Sequence, residues 1–221
     1  TPKGLVRGPQ TALVTGPAGE ELHVDQHGRI KVQFHWDRQG QYDDHSSCWV
    51  RVAQAWAGNG YGTMFIPRVG MEVVVDFLEG DPDQPLVTGC VYNGINKPPY
   101  DLPAHATRST IKTLSSKGGG GTNELRFEDK KGSEEVFLQA QKALNVQVKA
   151  NEHHQIGGSL DLKVGDYRKT TIEANDHLHV KGDQGIAVQG QMTVAVVDGP
   201  LEFQSGSEAK LLSKAKMEIA S

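Results

Sequence analysis

The chain carries nine histidines, two cysteines and 27 carboxylate side chains, and chemistry depends on which of them stand at useful spacings. The run Asp43-Asp44-His45-Ser46-Ser47-Cys48 sets nucleophiles, a base and carboxylates side by side. Nucleophilic catalysis needs a hydroxyl or thiol within reach of a base that a third group orients. Neighbouring residues on a strand face opposite ways, no Gly-x-Ser-x-Gly elbow is present, and no redox Cys-x-x-Cys occurs. No triad follows. Glu79, Asp81 and Asp83 could suggest the paired carboxylates that flank a glycosidic bond. They sit in a turn bounded by Pro82 and Pro85, with nothing apolar among them to raise a pKa, and the ligand spacing of a calcium loop is missing. The run Lys117-Gly118-Gly119-Gly120-Gly121-Thr122 holds phosphate-loop residues in the wrong order, since the lysine must follow the glycines and open a helix. It reads as a linker. No catalytic and no cofactor-binding residue is expected, and no cofactor.

Two kinds of element hold these residues. The first occupies 11–95. Ile30, Val32, Phe34 and Trp36 alternate with Arg29, Lys31, Gln33 and His35, the pattern of a half-buried strand with one wet face. Strands are also expected around Trp49, Val50 and Val52 (48–55), over 71–78 and over 86–92, with turns at Asp25-Gln26-His27-Gly28 and across 79–85. Five or so strands in that length, with no helical period, predict a five-stranded OB-like barrel. Such barrels often bind oligonucleotides, and Phe34, Trp36, Trp49 and Trp56 could stack bases. Residues 1–95, however, carry 7 basic and 11 acidic side chains, a net charge of −4. Barrel core and subunit contact is the better account of the aromatics. No other segment is basic enough to make nucleic acid or an anionic membrane the main partner.

The second element is periodic. Val148, Ile156, Val164, Ile172, Val180, Val188 and Val196 recur in steps of eight. A looser column precedes it by two residues: Val146, His154, Leu162, Thr170, Leu178, Ile186 and Val194. Two residues after the Val/Ile column come small or turn-forming types, among them Gly158, Gly182, Gly190 and Gly206, expected as corner turns where glycine supplies positive φ. A fixed period signals a repeat architecture. Eight residues span at most about 26–29 Å, whereas a single-chain β-helix needs roughly twenty or more per circuit. Two further copies must supply the rest. The prediction is an all-β fold: an OB-like barrel followed by an intertwined triple-stranded β-helix, an octapeptide-repeat homotrimer with the Val/Ile column as its core. The expected organisation is a lead-in linker over 1–10, the barrel over 11–95, a Gly/Pro-rich linker over 96–125 and the shaft over 126–221.

Histidines in the shaft are the remaining candidates. His177 and His179 flank the inward Leu178 and so fall outside. His154 lies in the inward column, where three copies would meet on the trimer axis. It is a weak metal candidate, since buried polar groups more often satisfy each other or water. No metal site is assigned. Two cysteines do not make a disulfide scaffold, and a reducing compartment is the default reading. The chain opens at Thr1 without methionine and stops mid-pattern at Ser221, as expected of a piece of a longer protein.

The string IPRVGMEVVVDFLEGDPDQPLVTGCVYNG (66–94) resembles the barrel signature of the VgrG spike proteins of type VI secretion systems. GRIKVQFHWDRQG (28–40) and CWVRVAQAWAGNGYG (48–62) fit the same pattern, and NELRFEDKKGSEEVFLQAQKALNVQVK (123–149) resembles the segment leading into the family's β-helix. The resemblance implies a homotrimeric, non-enzymatic spike akin to the puncturing device of contractile phage tails. It also implies a tube (Hcp-like) protein, a PAAR-repeat tip and effectors as partners, and transient contact with a target membrane. The implied location is the bacterial cytoplasm during assembly, then injection into a target cell. A phage tail spike is the alternative reading, and a carrier of a fused enzymatic effector beyond Ser221 a second.

Overall fold

Alternating branched aliphatics build the first sheet. In the computed structural model, which describes residues 4–214, strands β1 (Gln10–Thr15), β2 (Lys31–Phe34), β3 (Arg51–Val52), β4 (Glu72–Phe77) and β5 (Pro85–Val91) lie in the order β2-β1-β4-β5-β3. Neighbours are antiparallel except β3 and β5, which run parallel. The two ends of the sheet meet through a single bridge, Ile30 and Val50 each donating its amide to the other's carbonyl at 2.9 and 2.8 Å. Every second side chain points inward: Ala12 and Val14, Ile30 and Val32, Val50, Val73 and Val75, Phe77, and Val87 are buried together. A bulge between Val74 and Val75 keeps Val75 opposite Val87.

The turn before β2 forms as expected. Asp25 Oδ1 accepts the amides of His27 and Arg29 at 3.0 and 2.9 Å, and Gly28 takes the positive φ of 73° that the reversal needs. The wet face of β2 is not wholly wet. Gln33 is fully buried, its amide donating to the Asp37 carbonyl at 3.2 Å and its Oε1 accepting from the Tyr42 amide at 3.4 Å. A side chain at Gly40 would overlap it, with a Cβ only 1.8 Å from Gln33 Oε1. The loop after β2 closes over the strand because this residue is glycine. Trp36 lies past the end of β2, 61% exposed and stacked on Phe34 at 5.0 Å. The strand expected over 48–55 shrinks to β3, and Ser47 Oγ accepts the Val32 amide at 3.0 Å in place of a ladder partner.

The stretch 96–125 differs from a linker. It contains β6 (Arg108–Lys112), which pairs antiparallel with β7 (Glu124–Glu128), and β7 pairs in turn with β8 (Glu135–Gln139). The glycine run joining β6 to β7 is tied to the barrel. Lys117 Nζ donates to Glu20 at 2.9 Å, Ser116 Oγ and the Gly118 amide donate to Glu21 at 3.0 and 2.8 Å, and Arg68 donates to the Leu114 carbonyl at 2.6 Å. Glu20 and Glu21 lie nearly a hundred residues away from the run, and Arg68 lies 46 from Leu114, beyond the reach of local pattern.

Residues Thr1–Glu152 form one compact unit and His153–Ser221 a second. From residue 141 to 214 every position is exposed and no regular element is assigned between the bends. The bends fall at 141–142, 149–150, 157–158, 165–166, 173–174, 181–182 and 189–190, in steps of eight. A three-residue corner at 197–199 then shifts the next bend to 206–207. Gly158, Gly182, Gly190 and Gly206 stand at bends, yet none has positive φ; in this stretch Gly199 does, at 125°. The expectation of left-handed corners is corrected: the reversals are made with ordinary backbone. The shaft expected to Ser221 and the linker expected from Thr1 extend beyond the described residues.

The barrel core generates a prediction. Ile30 sits at the closure and is fully buried. Ile30→Ala should destabilise the barrel by about 2–5 kcal/mol, read from its urea unfolding midpoint.

Candidate functional site

The catalytic-looking clusters resolve into turns. Asp43 Oδ1 accepts the His45 amide at 2.8 Å, and the Ser46 hydroxyl accepts the Asp43 amide at 3.0 Å. Ser47 Oγ accepts the Val32 amide and donates to the Cys48 carbonyl at 2.7 Å, so both of its roles are taken by backbone. Asp43, Asp44 and His45, half-buried, half-buried and exposed in turn, each bring one ligand atom within 4.8 Å of the others, on a loop that is also tied to β2, since Lys31 Nζ donates to the Asp44 carbonyl at 2.5 Å. Asp81 accepts the Asp83 amide at 2.9 Å and the Gln84 side chain at 3.2 Å, closing the β4–β5 turn. Of the aromatics, Phe34 packs against the barrel core, and Trp49 is half-buried between His23 and Lys31. Trp56 is exposed, with Tyr61 edge-on at 5.5 Å.

A polar network that spacing alone did not reveal covers one face of the β6–β7–β8 sheet. Glu124 is buried and accepts hydrogen bonds from the Tyr100 hydroxyl and from Thr110 Oγ1. Burial alone would raise its pKa; those two bonds, with Lys112 and Arg126 nearby, hold it lower. Arg126 donates to Tyr100 at 3.0 Å and to Glu135 at 2.7 Å, while its guanidinium lies over the Phe137 ring at 4.3 Å. Glu128 accepts from Thr107, from Arg108 Nε at 2.9 Å and from the Lys130 amide at 3.0 Å. The Thr107 and Arg108 bonds bring its pKa down to about 2 from an ordinary 4.5. The alternation Glu-Leu-Arg-Phe-Glu in β7 marks a strand with two unlike faces. It does not say which face the chain itself covers.

In the shaft, the Val/Ile column from Val148 to Val196 is 41–49% exposed in the single chain, and the apolar members of the looser column are 56–72% exposed. Each Val/Ile residue immediately precedes a bend. His154, His177 and His179 lie on extended stretches between bends, exposed. Among the described residues no strand of 141–214 pairs with another part of the chain. These features present two apolar columns along the single chain.

The described residues thus build a five-stranded sheet bridged through Ile30 and Val50, a three-stranded sheet, and a stretch with bends every eight residues. Residues 13–92 match the model of the type VI secretion system/phage-baseplate injector OB domain, and residues 109–216 match the bacteriophage T4 gp5 C-terminal trimerisation domain. The chain is 59% identical over 180 residues to the type VI secretion system spike protein VgrG4b of Pseudomonas aeruginosa, an alignment taking in 81% of this chain and 21% of that protein. It is 48% identical over 208 residues to VgrG1a of the same organism, across 86% of this chain and 31% of the relative. It is 43% identical over 205 residues to the actin cross-linking toxin VgrG1 of Vibrio cholerae, across 93% and 17%. The chain belongs to the VgrG family of type VI secretion spike proteins. It spans between about a fifth and a third of the length of the Pseudomonas relatives it matches.

The Glu128 contacts set a pH dependence. Its folded pKa lies below the unfolded value, so its contribution is complete above pH 4.5 and is lost as pH falls toward about 2. Protection factors of the β6 and β7 amides, with exchange rates corrected for their intrinsic pH dependence, should fall across that window, and Glu128→Gln should make the profile flatter. An unchanged slope in the variant would mean that other carboxylates govern it.

Proposed function

We propose that this chain forms the barrel and shaft of the spike of a type VI secretion machine, and that its work is mechanical. The observation that carries the reading is the Val/Ile column, half-exposed in a single chain and repeating at a spacing too short to encircle an axis. Three copies wound together bury it and pair the extended backbone along the shaft. Val148, Ile156, Val164, Ile172, Val180, Val188 and Val196 are the interlocking core, and Gly158, Gly182, Gly190 and Gly206 serve the corners. A rod with its strand edges paired has little freedom to open locally, so it passes an axial push through a target envelope.

The partners in this reading are a tube protein beneath the spike, a PAAR-repeat tip above it, and effectors carried with it. Assembly takes place in the bacterial cytoplasm and delivery into the target cell follows. No reaction is assigned to these residues. One relative is named for actin cross-linking, but the chain spans only 17% of it, and that activity is not carried over.

The test is assembly. The full chain should migrate as a trimer by light scattering and in unboiled detergent gels, and Val164→Asp with Val180→Asp should abolish that species. A stable trimer in the double variant would overturn the inward placement of the column, and a well-folded native monomer would overturn the spike reading.

A further inference from the structure

The shaft repeat holds a third column, two residues ahead of the looser one. It runs in steps of eight from Leu144 to Met192. Residues i, i+2 and i+4 of an extended strand line one face, so in each octad this column shares its side with the looser and the Val/Ile columns. Arg168, Thr170 and Ile172 lie together between the bends at 165–166 and 173–174, and Asp176, Leu178 and Val180 between those at 173–174 and 181–182. The column is apolar at Leu160 and Met192, yet charged at Glu152, Arg168 and Asp176. Glu152 has a histidine, His154, in its own octad. Arg168 and Asp176 carry opposite charges one octad apart, and both are exposed in the single chain.

We infer that Arg168 of one copy pairs with Asp176 of the next inside the shaft, and that this pair fixes the register in which the three chains wind. The inference rests on the trimeric reading above and adds to it a contact that does not recur from octad to octad. An octad covers one of the three sides, and a chain climbs one strand spacing on passing to the next side. On any one side, therefore, the strand above an octad is the following octad of another copy. Residue 168 of one chain then stands beside residue 176 of its neighbour at about 4.8 Å, within reach of a guanidinium and a carboxylate. The threefold axis repeats the contact, so the arginines and aspartates form a neutral belt. The Val/Ile column cannot choose a register, because it looks the same after a slip of eight residues. The belt can. A slip of one octad sets Arg168 beside another Arg168 or beside Gln184, and either leaves enclosed charges without partners. A charge pair in an apolar core adds little stability but selects one alignment.

Reporter cysteines in the full chain read the register, after Cys48 and Cys90, both free and exposed, are replaced by serine. Chains with Thr170→Cys are refolded from denaturant with chains carrying Leu178→Cys, neighbours in the proposed register, or Ile186→Cys, neighbours only after a slip. On oxidation the first mixture should give at least tenfold more two-chain disulfides than the second. Arg168→Met with Asp176→Met, apolar and free of repulsion, should lower that excess at least threefold. The exchange Arg168→Asp with Asp176→Arg should keep it, whereas Asp176→Arg alone should lose it or form no trimer. A trimer without the initial excess, an excess that the methionine pair lowers less than threefold, or an exchange no better than the single reversal overturns the belt and leaves the trimeric reading intact. A native chain that forms no trimer overturns that reading instead.

Discussion

Backbone hydrogen bonding is the constraint from which the rest follows. An extended strand carries an amide and a carbonyl at every residue, and burying them unpaired costs as much as losing the bonds outright. The barrel meets this within one chain, since the reciprocal Ile30–Val50 bonds bridge the two ends of its sheet. The stretch 141–214 cannot do so. Its corners come every eight residues, and none of its described strands finds a partner in the chain. One polypeptide thus holds a part that closes on itself and a part built to be closed by others. Water can serve the open edges of the second part, but it cannot make a rod of them.

Between the two in chain order comes the β6–β7–β8 sheet. Its polar side is held by charge-assisted bonds whose geometry fixes the strands: Arg126 bridges Tyr100 and Glu135, and Arg108 pairs with Glu128. Its connecting glycine run is held by Glu20 and Glu21 of the barrel, and the Gly118 amide, the largest influence on Glu21, keeps that carboxylate ionised by lowering its pKa. Because Glu20 is exposed and Glu21 only half-buried, each bond is individually weak. Several together, with Arg68 on the Leu114 carbonyl, give the sheet a defined seat on the barrel.

What could be read from the sequence was what repeats. The octad is legible because each step places the same residue type at the same corner, and the barrel strands because branched aliphatics alternate. The misses share a cause. Gln33 has the residue type of a wet face, but Gly40 lets a loop descend on it, and no local pattern carries that contact. Residues 96–125 are rich in glycine and proline, so β6 is hidden among linker-like residues until its partner β7 is known. The β7 alternation was visible, and the side covered was not, because the covering residue Tyr100 lies 24 residues from Glu124. Sequence separation, more than residue type, set the limit.

The register slip near the described end bears on how far the shaft core extends. From Val148 to Val196 the residue just before each corner is Val or Ile. The three-residue corner at 197–199, with Gly199 at a φ of 125°, moves the following bends to 206 and 214. Counted from those bends, the looser column continues through Phe203 and Leu211, each three residues ahead of a corner, as Val146 and Leu162 are. The position immediately before the corner becomes Ser205 and then Ser213. In the proposed trimer the β-branched column therefore ends at Val196, and beyond it the larger Phe and Leu must fill the axis alone. β-branched side chains hold few rotamers and pack in register, whereas Phe and Leu adapt. The proposed shaft thus changes from a stiff, uniform core to a bulkier and less uniform one, with the added corner residue marking the change.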